Sequence, residues 1–207
     1  MTARLAGNPP PDSAEWHALR RGSIGGSDIG SIVGVGYQTR DQLLAEKRAQ
    51  LADDWTPDPP TPSMLRGVWL EPAVIAYLSH RGHAPDPQLH GTWVHDAQPW
   101  HYNPDGIDTD GVLLEAKSTR ARRPDLWGRG GTDQIPPSYL CQVTWGCGLL
   151  GLDRWALGVI ATKQSGEGTD FDFAYYRGKF QPDFYRWLVT QGQAFINDLH
   201  DTRSEAA

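Results

Sequence analysis

Apolar side chains recur every three or four residues in several stretches of the chain, which is the spacing of helices buried along one side. The clearest case is 181–199, where Phe184, Leu188 and Phe195 fall on one face. At 63–82 the stripe is rougher, and Pro72 predicts a kink or a broken start. Further helices are predicted over 15–21, 39–51 and 137–150. Another helix is predicted to begin with Ser27 as its N-cap.

Shorter runs have the pattern of strands. The stretch 154–161 is almost continuously apolar, as in a buried strand, and 170–176 alternates between polar and apolar residues. Strands are also predicted over 88–95, 100–107 and 111–118. The order of the elements predicts an α/β fold: a central mixed sheet of about five strands flanked by helices, with helical additions on the N-terminal side.

The length of 207 residues and the hydrophobic content of 39% suit a single domain. We predict this domain over 14–202, with an exposed proline-rich loop at 52–62. A disordered leader is expected over 1–13 and a tail over 203–207. No apolar run approaches the ~20 residues of a membrane span, and the polar start does not fit a secretory signal. We therefore expect a cytoplasmic protein that does not enter a membrane.

The two cysteines, Cys141 and Cys147, fall on different faces of one predicted helix. They are expected to be reduced, buried thiols, as is usual in the cytoplasm. Two thiolates are also too few for an iron–sulfur cluster.

The net charge of −6 argues against tight nonspecific adhesion to DNA along a broad basic face. It still permits a local basic path, because the arginines are clustered. The clusters are Arg20 with Arg21, and then Arg120, Arg122, Arg123 and Arg129.

A predicted hairpin carries the strongest chemical pattern. Asp105 lies at a bend between Pro104 and Gly106, and the strand after the turn carries Glu115 and Lys117 on the same face. Pairing of the two strands brings Asp105 beside Glu115. Two carboxylates beside an ammonium form a site for a hard cation such as Mg²⁺. The alternative is that Asp105 is an ordinary turn residue and that Glu115 and Lys117 lie on a solvated face.

Three further residues could join this site. Glu71 is either an ordinary first-turn residue or a third carboxylate, which a site for two metal ions would need. Tyr139 and Gln142 lie on one face of the predicted helix. Gln142 is either a surface glutamine or a neighbour of Lys117 that positions water or a phosphate oxygen.

A glycine-rich turn near the N-terminus is a candidate anion site. The turn Gly25-Gly26-Ser27 offers backbone amides and a hydroxyl, and Arg20 offers a charge for a phosphate. The alternative is a turn that packs tightly under a helix. The glycine spacing does not fit a dinucleotide-binding loop.

Other site classes are disfavoured. The histidines near the hairpin are irregularly spaced for zinc and no cysteine lies among them. Neither a nucleophile elbow nor a P-loop motif is present, which argues against triad hydrolases and P-loop NTPases. The histidines are His80, His83, His90, His95 and His101.

Taken in order, the motifs resemble the YqaJ-like viral recombinase family of PD-(D/E)XK nucleases, which includes the exonuclease of phage lambda. The resemblance spans residues 15–165, and it depends on the order and spacing of the motifs rather than on any one of them. The matching residues are Trp16-His17-x-Leu19-Arg20-x-Gly22-x-Ile24-Gly25-Gly26-Ser27-Asp28, Gly67-x-x-x-Glu71-Pro72, Asn103-Pro104-Asp105-Gly106, Leu114-Glu115-Ala116-Lys117 and Ile135-Pro136-x-x-Tyr139-x-x-Gln142.

This resemblance implies a PD-(D/E)XK core and a metal-dependent exonuclease. Such an enzyme degrades one strand of a duplex DNA end from 5′ to 3′ and leaves 3′ single-stranded DNA for an annealing protein. The metal ligands would be Glu71, Asp105, Glu115 and the backbone carbonyl of Ala116. They would hold Mg²⁺, as two ions, with Mn²⁺ as a substitute.

The resemblance also assigns the remaining roles. Lys117 and Gln142 would orient and activate the attacking water. Arg20 and Ser27 would hold the terminal 5′-phosphate, with Asn103 nearby. The weaker candidates for DNA contact are Tyr139, Arg120, Arg122 and Arg123. A ring-shaped homotrimer is expected, in the cytoplasm of a bacterial host if the protein is encoded by a phage.

Two other functions remain open at the level of the sequence. One is an end-independent DNA endonuclease on the same core. The other is a noncatalytic protein that binds DNA ends.

Overall fold

The computed structural model describes residues 3–52, 54–165 and 168–201. Six α-helices and seven β-strands form within these ranges. In chain order they are β1 (Ala3–Gly7), α1 (Ala14–Arg20), α2 (Gly26–Ile32), α3 (Arg40–Ala49), α4 (Pro62–His80), β2 (Thr92–His95), β3 (His101–Tyr102), β4 (Gly106–Ile107), β5 (Val112–Thr119), α5 (Pro137–Leu150), β6 (Arg154–Ser165), β7 (Gly168–Lys179) and α6 (Pro182–His200), with a 3₁₀ turn at Pro87–Leu89.

The main sheet has four strands in the order β4-β5-β6-β7. It is mixed, as predicted, because β5 and β6 run parallel while β4 and β7 are antiparallel to their neighbours. Parallel neighbours need a long crossover connection, and α5 lies in the crossover between β5 and β6. This connection packs α5 against β5.

A second sheet, in the order β1-β2-β3, replaces the single sheet of about five strands predicted from the sequence. The disordered leader predicted over 1–13 is wrong for residues 3–7, which form β1 and pair antiparallel with β2. This pairing satisfies backbone hydrogen-bonding groups along β2 and buries Ala3. The predicted strand 100–107 is divided between the two sheets, because Pro104 has no N–H to continue a ladder. The predicted tail at 203–207 lies outside the described residues.

Helix α4 begins earlier than predicted. Its N-cap is Thr61, whose Oγ1 accepts a hydrogen bond from the backbone N–H of Met64 over 3.3 Å. Pro62 takes the first helical position, where the missing N–H does no harm. The helix then continues through Pro72 to His80, so the broken start that the proline suggested is not found.

Helix α5 lies at the centre of the core. Trp145 is fully buried on it, and its ring contacts the rings of Trp100 and Tyr185. Gly146 leaves room for Tyr102, since a methyl group at this position would overlap the tyrosine ring. The small residue thus allows an aromatic side chain to lie directly against the helix backbone.

The cysteine prediction is confirmed, because Cys141 and Cys147 are both free and buried. Burial raises the pKa of the Cys141 thiol to about 11. Among residues 3–52, 54–165 and 168–201, no helix combines the length and the apolar character that a membrane span requires.

The arginine- and glycine-containing loop 119–135 is attached to the free side of β7. The Gly131 N–H donates to the Tyr175 carbonyl over 2.7 Å, and the Arg177 N–H donates to the Thr132 carbonyl over 3.1 Å. These two backbone hydrogen bonds hold the loop along the edge of the sheet at β7.

Candidate active site

Strands β4 and β5 bring two acidic residues together. Gly106 pairs with Leu114, so Asp105, just before β4, lies opposite Glu115. The backbone N–H of Ala116 donates to Asp105 Oδ2 over 2.6 Å. The hairpin therefore forms as the sequence predicts, and it holds the Asp105 carboxylate against the backbone of β5.

The side chain of Glu115 is fully buried, and both of its oxygens accept hydrogen bonds. Oε1 accepts from the Tyr102 hydroxyl over 2.5 Å. Oε2 accepts from Lys117 Nζ over 2.8 Å and from Gln142 Nε2 over 2.9 Å. Lys117 lies two residues along the strand and Gln142 approaches from α5. These three donors fix the orientation of the carboxylate.

Electrostatic coupling links the acidic residues. Burial, and then the negative charge of Glu115, raises the pKa of Asp105 well above its ordinary range. The same two causes, in the same order, raise the pKa of Glu71, which shows that Glu71 on α4 senses the same cluster. Burial alone would lower the pKa of Lys117, but Glu115 and Asp105 outweigh it and raise this pKa. Lys117 is therefore a fixed positive charge among carboxylates that repel one another.

The donor types of this cluster fit a hard divalent cation, which binds carboxylate and carbonyl oxygens. The raised pKa values of Asp105 and Glu71 fit as well, because a cation would favour their ionised forms. In the part of the chain that the structure describes, however, no three Asp, Glu, His or Cys side chains are grouped closely enough to hold a metal ion. Asp105 instead contacts the backbone, and Glu115 contacts Lys117. Metal binding would thus require these contacts to be exchanged.

Arg20, at the end of α1, lies close to Asn103. Its Nη1 donates to Asn103 Oδ1 over 3.0 Å, and its guanidinium lies 4.0 Å from the centre of the Trp16 ring. Asn103 is itself held by Thr92, because its Nδ2 donates to Thr92 Oγ1 over 2.6 Å. Burial lowers the pKa of Arg20, and the nearby Asp28 counteracts this effect. The fold therefore unites Arg20 and Asn103, which are 83 residues apart.

The prediction that Ser27 caps α2 is wrong. The N-cap is Gly25, and Ser27 is the second residue of the helix, with its side chain exposed. The reason is that the Asp28 carboxylate accepts a hydrogen bond from the Gly25 N–H over 2.8 Å, which places the cap two residues earlier than predicted. Ser27 is thus an exposed hydroxyl in the first turn.

A buried polar network lies behind this turn and was not predicted. Lys47 Nζ is 2.9 Å from Asp28 Oδ2 and donates to the Ser23 carbonyl over 3.0 Å. Ser23 Oγ is 2.6 Å from His101 Nδ1. Lys47 falls among the apolar positions of α3, and a lysine in such a stripe is the signal that could have revealed it. The network therefore supports the turn at Gly25 from the protein interior.

Family membership follows from the sequence comparison. Residues 15–148, well over half of the chain, match the family described as the YqaJ-like viral recombinase domain. The chain belongs to this family. The resemblance inferred from the motifs is thereby confirmed, whereas no curated protein matches the chain.

Solved exonucleases share the fold of this YqaJ-like protein. The alkaline exonuclease LHK-Exo from Laribacter hongkongensis has a TM-score of 0.66 at 19% identity, over 90% of this chain and 92% of its own. LHK-Exo in complex with dAMP gives a TM-score of 0.65 at the same identity and coverage. A phage-related exonuclease from Haemophilus somnus 129PT has a TM-score of 0.61 at 10% identity, over 92% of this chain and 99% of its own. The predicted fold class is confirmed.

Four predicted DNA-contact residues of the YqaJ-like chain lie near the loop 119–135. The Tyr139 ring centre is 5.4 Å from Lys117 Nζ, so Tyr139 borders the carboxylate cluster. Arg122 pairs with Asp172 and also donates to the Tyr176 hydroxyl over 3.1 Å. Arg123 pairs with Asp125 in the loop itself, and the Arg120 side chain is exposed. Arg122 and Arg123 therefore make contacts within the loop and with β7.

Two of the histidines serve structural contacts. His83 joins Asp108 and Tyr175, with 2.8 Å from Nδ1 to Asp108 Oδ2 and 2.8 Å from Nε2 to the Tyr175 hydroxyl. His101 contacts Ser23.

The sequence did not predict that Tyr102 donates a hydrogen bond to Glu115. Tyr102 directly precedes the Asn103-Pro104-Asp105 motif in a predicted strand, so alternation places it on the opposite face from Asn103. A tyrosine on the buried face beside an acidic motif could have been recognised, because a buried hydroxyl needs a partner.

Proposed function

We propose that this YqaJ-like protein is a Mg²⁺-dependent exonuclease that degrades one strand of a double-stranded DNA end from 5′ to 3′. The product would be a 3′ single-stranded overhang for recombination by strand annealing. One observation carries the proposal: Asp105, Glu115 and Lys117 converge on β5 in a protein that has this family's motifs and the exonuclease fold. The dAMP complex of LHK-Exo supports a deoxynucleotide as the product class.

The metal ligands in this proposal are Glu71, Asp105, Glu115 and the backbone carbonyl of Ala116. Two Mg²⁺ ions would bind, and Mn²⁺ would substitute for them. When bound, the ions lower the pKa of a water molecule and stabilise negative charge on the scissile phosphate. The coupled carboxylates support this assignment, because each would be relieved of repulsion by a cation.

Lys117 and Gln142 would act on the attacking water. The raised pKa of Lys117 keeps its amine positively charged beside Glu115, where it stabilises the nucleophile electrostatically. Gln142 is anchored to Glu115 through Nε2, and its amide oxygen would orient the water. Both side chains are held before substrate arrives, which lowers the reorganisation needed during the reaction.

Arg20 and Asn103 would bind the terminal 5′-phosphate, together with the exposed hydroxyl of Ser27. The Arg20–Asn103 contact supports this, because it holds the guanidinium in place above Trp16. Arginine is suited to phosphate because its planar group donates two parallel hydrogen bonds. Recognition of a 5′ end in this pocket would set the polarity of digestion.

The proposal includes further partners. An annealing protein would receive the single strand, and a ring-shaped homotrimer would enclose the duplex. A ring also accounts for a DNA enzyme with a net charge of −6, because encirclement can replace a broad basic surface. Tyr139, Arg120, Arg122 and Arg123 would provide secondary contacts with DNA.

A nuclease assay with labelled ends tests the function. Linear duplex labelled at the 5′ or the 3′ end is incubated with the protein in Mg²⁺ and, separately, in EDTA. We expect early release of the 5′ label and late release of the 3′ label, in Mg²⁺ only. Covalently closed circular DNA is the matched control and should remain intact.

Other outcomes would contradict the proposal. Cleavage of the closed circle would indicate the end-independent endonuclease. Binding of linear duplex without hydrolysis in Mg²⁺ or Mn²⁺ would indicate a noncatalytic DNA-end-binding protein. Early release of the 3′ label would reverse the polarity.

A further inference from the structure

A pocket of about 420 Å³ opens beside the candidate active site. Its walls come from the segment after α2, from the loop 119–135 and from the start of α5. The lining is mainly aromatic and aliphatic, and it includes Val35, Tyr37, Arg123, Leu126, Trp127 and Tyr139. Ligand pockets typically enclose about 300–1,000 Å³, so this one has room for a single small planar group.

Tyr37 gives the pocket an unusual rim. Its ring is 86% exposed, more than any other large apolar or aromatic side chain in the described part of the chain. The ring is nevertheless held in place, because the Tyr37 hydroxyl is 2.5 Å from the Tyr139 hydroxyl. Trp127, which is buried, stacks at an angle against Tyr139 with 5.7 Å between ring centres. Tyr37 therefore presents aromatic surface to the pocket that the fold itself does not cover.

Tyr139 separates this pocket from the carboxylate cluster. Tyr139 lines the pocket, and its ring centre also lies 5.4 Å from Lys117 Nζ. A nucleotide whose phosphate lies at Glu115 and Lys117 can thus reach the pocket with its base. Only the Tyr139 side chain lies between the two sites. This short separation suits a phosphate and its own base, which are joined by a single sugar.

We infer that the Tyr37–Trp127–Tyr139 pocket binds an unpaired nucleobase of the strand whose phosphate lies at Glu115 and Lys117. This inference rests on the proposed function, and it assigns to that site a base subsite. Bases stack on aromatic side chains with little dependence on sequence, because every base has a π-face. Because stacking uses the face of the base that all four bases share, the subsite is expected to accept all four bases. Stacking would also hold the end nucleotide out of the duplex.

Binding measurements with abasic DNA test the subsite. The full-length protein in EDTA is titrated against a 5′-phosphorylated duplex with frayed terminal pairs and a fluorophore at the far end. A stable abasic residue replaces the first, second or third nucleotide of the 5′ strand in turn. We expect one position at which loss of the base weakens binding about tenfold, as the loss of one stacked base would.

Variants complete the test. Tyr37→Ala should lose the preference for a base at that position and bind abasic DNA as the wild-type protein does. Tyr37→Phe should keep most of the preference, because the ring remains. Trp187→Ala is the matched control, since it removes a half-exposed aromatic ring from α6 and should leave the preference unchanged.

The outcomes separate the inference from the proposed function. An abasic penalty that is absent, or that persists in Tyr37→Ala, overturns the subsite while leaving the nuclease proposal intact. Unchanged binding of every DNA by Tyr37→Ala also overturns it, and would leave the pocket for an apolar side chain of a protein partner. A wild-type protein that binds no duplex end overturns both proposals.

Discussion

The Tyr102 hydroxyl donates a hydrogen bond to Glu115 Oε1 across 2.5 Å in the protein interior. The Tyr102 ring lies between Gly26 of α2 and Gly146 of α5, and a methyl group at either glycine would overlap it. Burial, and then the charge of Glu115, raises the pKa of Tyr102 well above its ordinary value, so the phenol remains a donor. One rigid side chain therefore connects the turn at the candidate phosphate pocket with the central carboxylate.

Replacement of Tyr102 by Phe should show how much this hydrogen bond contributes to stability and activity. The ring stays between its glycines, but Glu115 loses one of its three donors in a buried site. We expect the free energy of unfolding to fall by about 1–3 kcal/mol, together with slower digestion of DNA. Urea denaturation and initial rates measure the two effects. Tyr185→Phe, which trims another ring packed against α5, is the control, and an equal loss in both variants would contradict the prediction.

Gly146→Ala should be strongly destabilising. Its methyl group would overlap the Tyr102 ring and the Leu113 side chain. Overpacking of a core typically costs about 1–3 kcal/mol of stability. Gly67→Ala is a matched control in α4, because nothing lies within 4 Å of the added carbon. That variant should be neutral or up to about 1 kcal/mol more stable, since alanine favours a helix. Thermal unfolding of both proteins would show whether the two substitutions diverge as expected.

Asp105 should make the stability of the metal-free protein depend on pH. Its pKa is raised in the folded state, so its contribution to stability is fully present below its ordinary value of 3.8 and is lost as the pH rises through the raised value. Asp105→Asn cannot ionise. The difference in unfolding free energy between variant and wild type should therefore shift in favour of the variant as the pH rises above 3.8.

Addition of Mg²⁺ should reverse this order near neutral pH. A metal that binds only the folded protein stabilises it, and the wild type keeps the carboxylate that the variant lacks. Chemical denaturation with and without Mg²⁺ measures both differences. A difference between the two proteins that does not change with pH would argue against the raised pKa.

Lys117→Ala should abolish digestion while leaving the fold intact. The substitution removes the cation nearest Glu115 Oε2, and electrostatic groups of this kind contribute about 10²-fold or more to the rate. Circular dichroism checks the fold and the labelled-end assay checks the activity. Lys179→Ala removes an exposed lysine at the end of β7 and is the matched control. Activity of Lys117→Ala close to that of Lys179→Ala would rule out the proposed role.

Arg20→Ala should selectively remove the preference for 5′-phosphorylated ends. The guanidinium held by Asn103 and Trp16 is the proposed partner of that phosphate. Rates on phosphorylated and unphosphorylated duplex give the ratio, which should fall to about one, as for loss of a charge-assisted contact. Arg186→Ala, at an exposed ion pair on α6, is the control. An equal loss of rate on both ends would point to a structural role for Arg20.

Most of the fold could be predicted because its signals are local. The periodicity of 181–199 matches α6, and the prolines at 136 and 137 mark the start of α5. The hairpin also follows from local turn signals, and with it the proximity of Asp105 and Glu115. Family motifs, read in order, identified the family correctly.

The errors concern contacts between distant segments. The strand β1 depends on a partner 85 residues or more along the chain, and its own sequence next to several prolines resembles a disordered leader. The cap of α2 is the exception, because it depends on a local contact: the Gly25 N–H donates to Asp28, three residues along the chain, and Ser27 does not cap the helix. Local patterns could have marked Lys47 and Tyr102 as buried polar side chains, but their partners, Asp28 and Glu115, are set by the fold. Local patterns do not contain that information.

The pairing of β1 with β2 has a consequence for how the chain is synthesised. β1 leaves the ribosome well before its partner strand, which follows only at Thr92–His95. At a typical ~5–20 residues per second, several seconds pass with β1 unpaired. The strand must remain free of other partners during that time. Pairing of this exposed edge with another unfinished chain would be a route to aggregation, so a lower expression level, which keeps fewer unfinished chains present at once, should improve the yield of correctly folded protein.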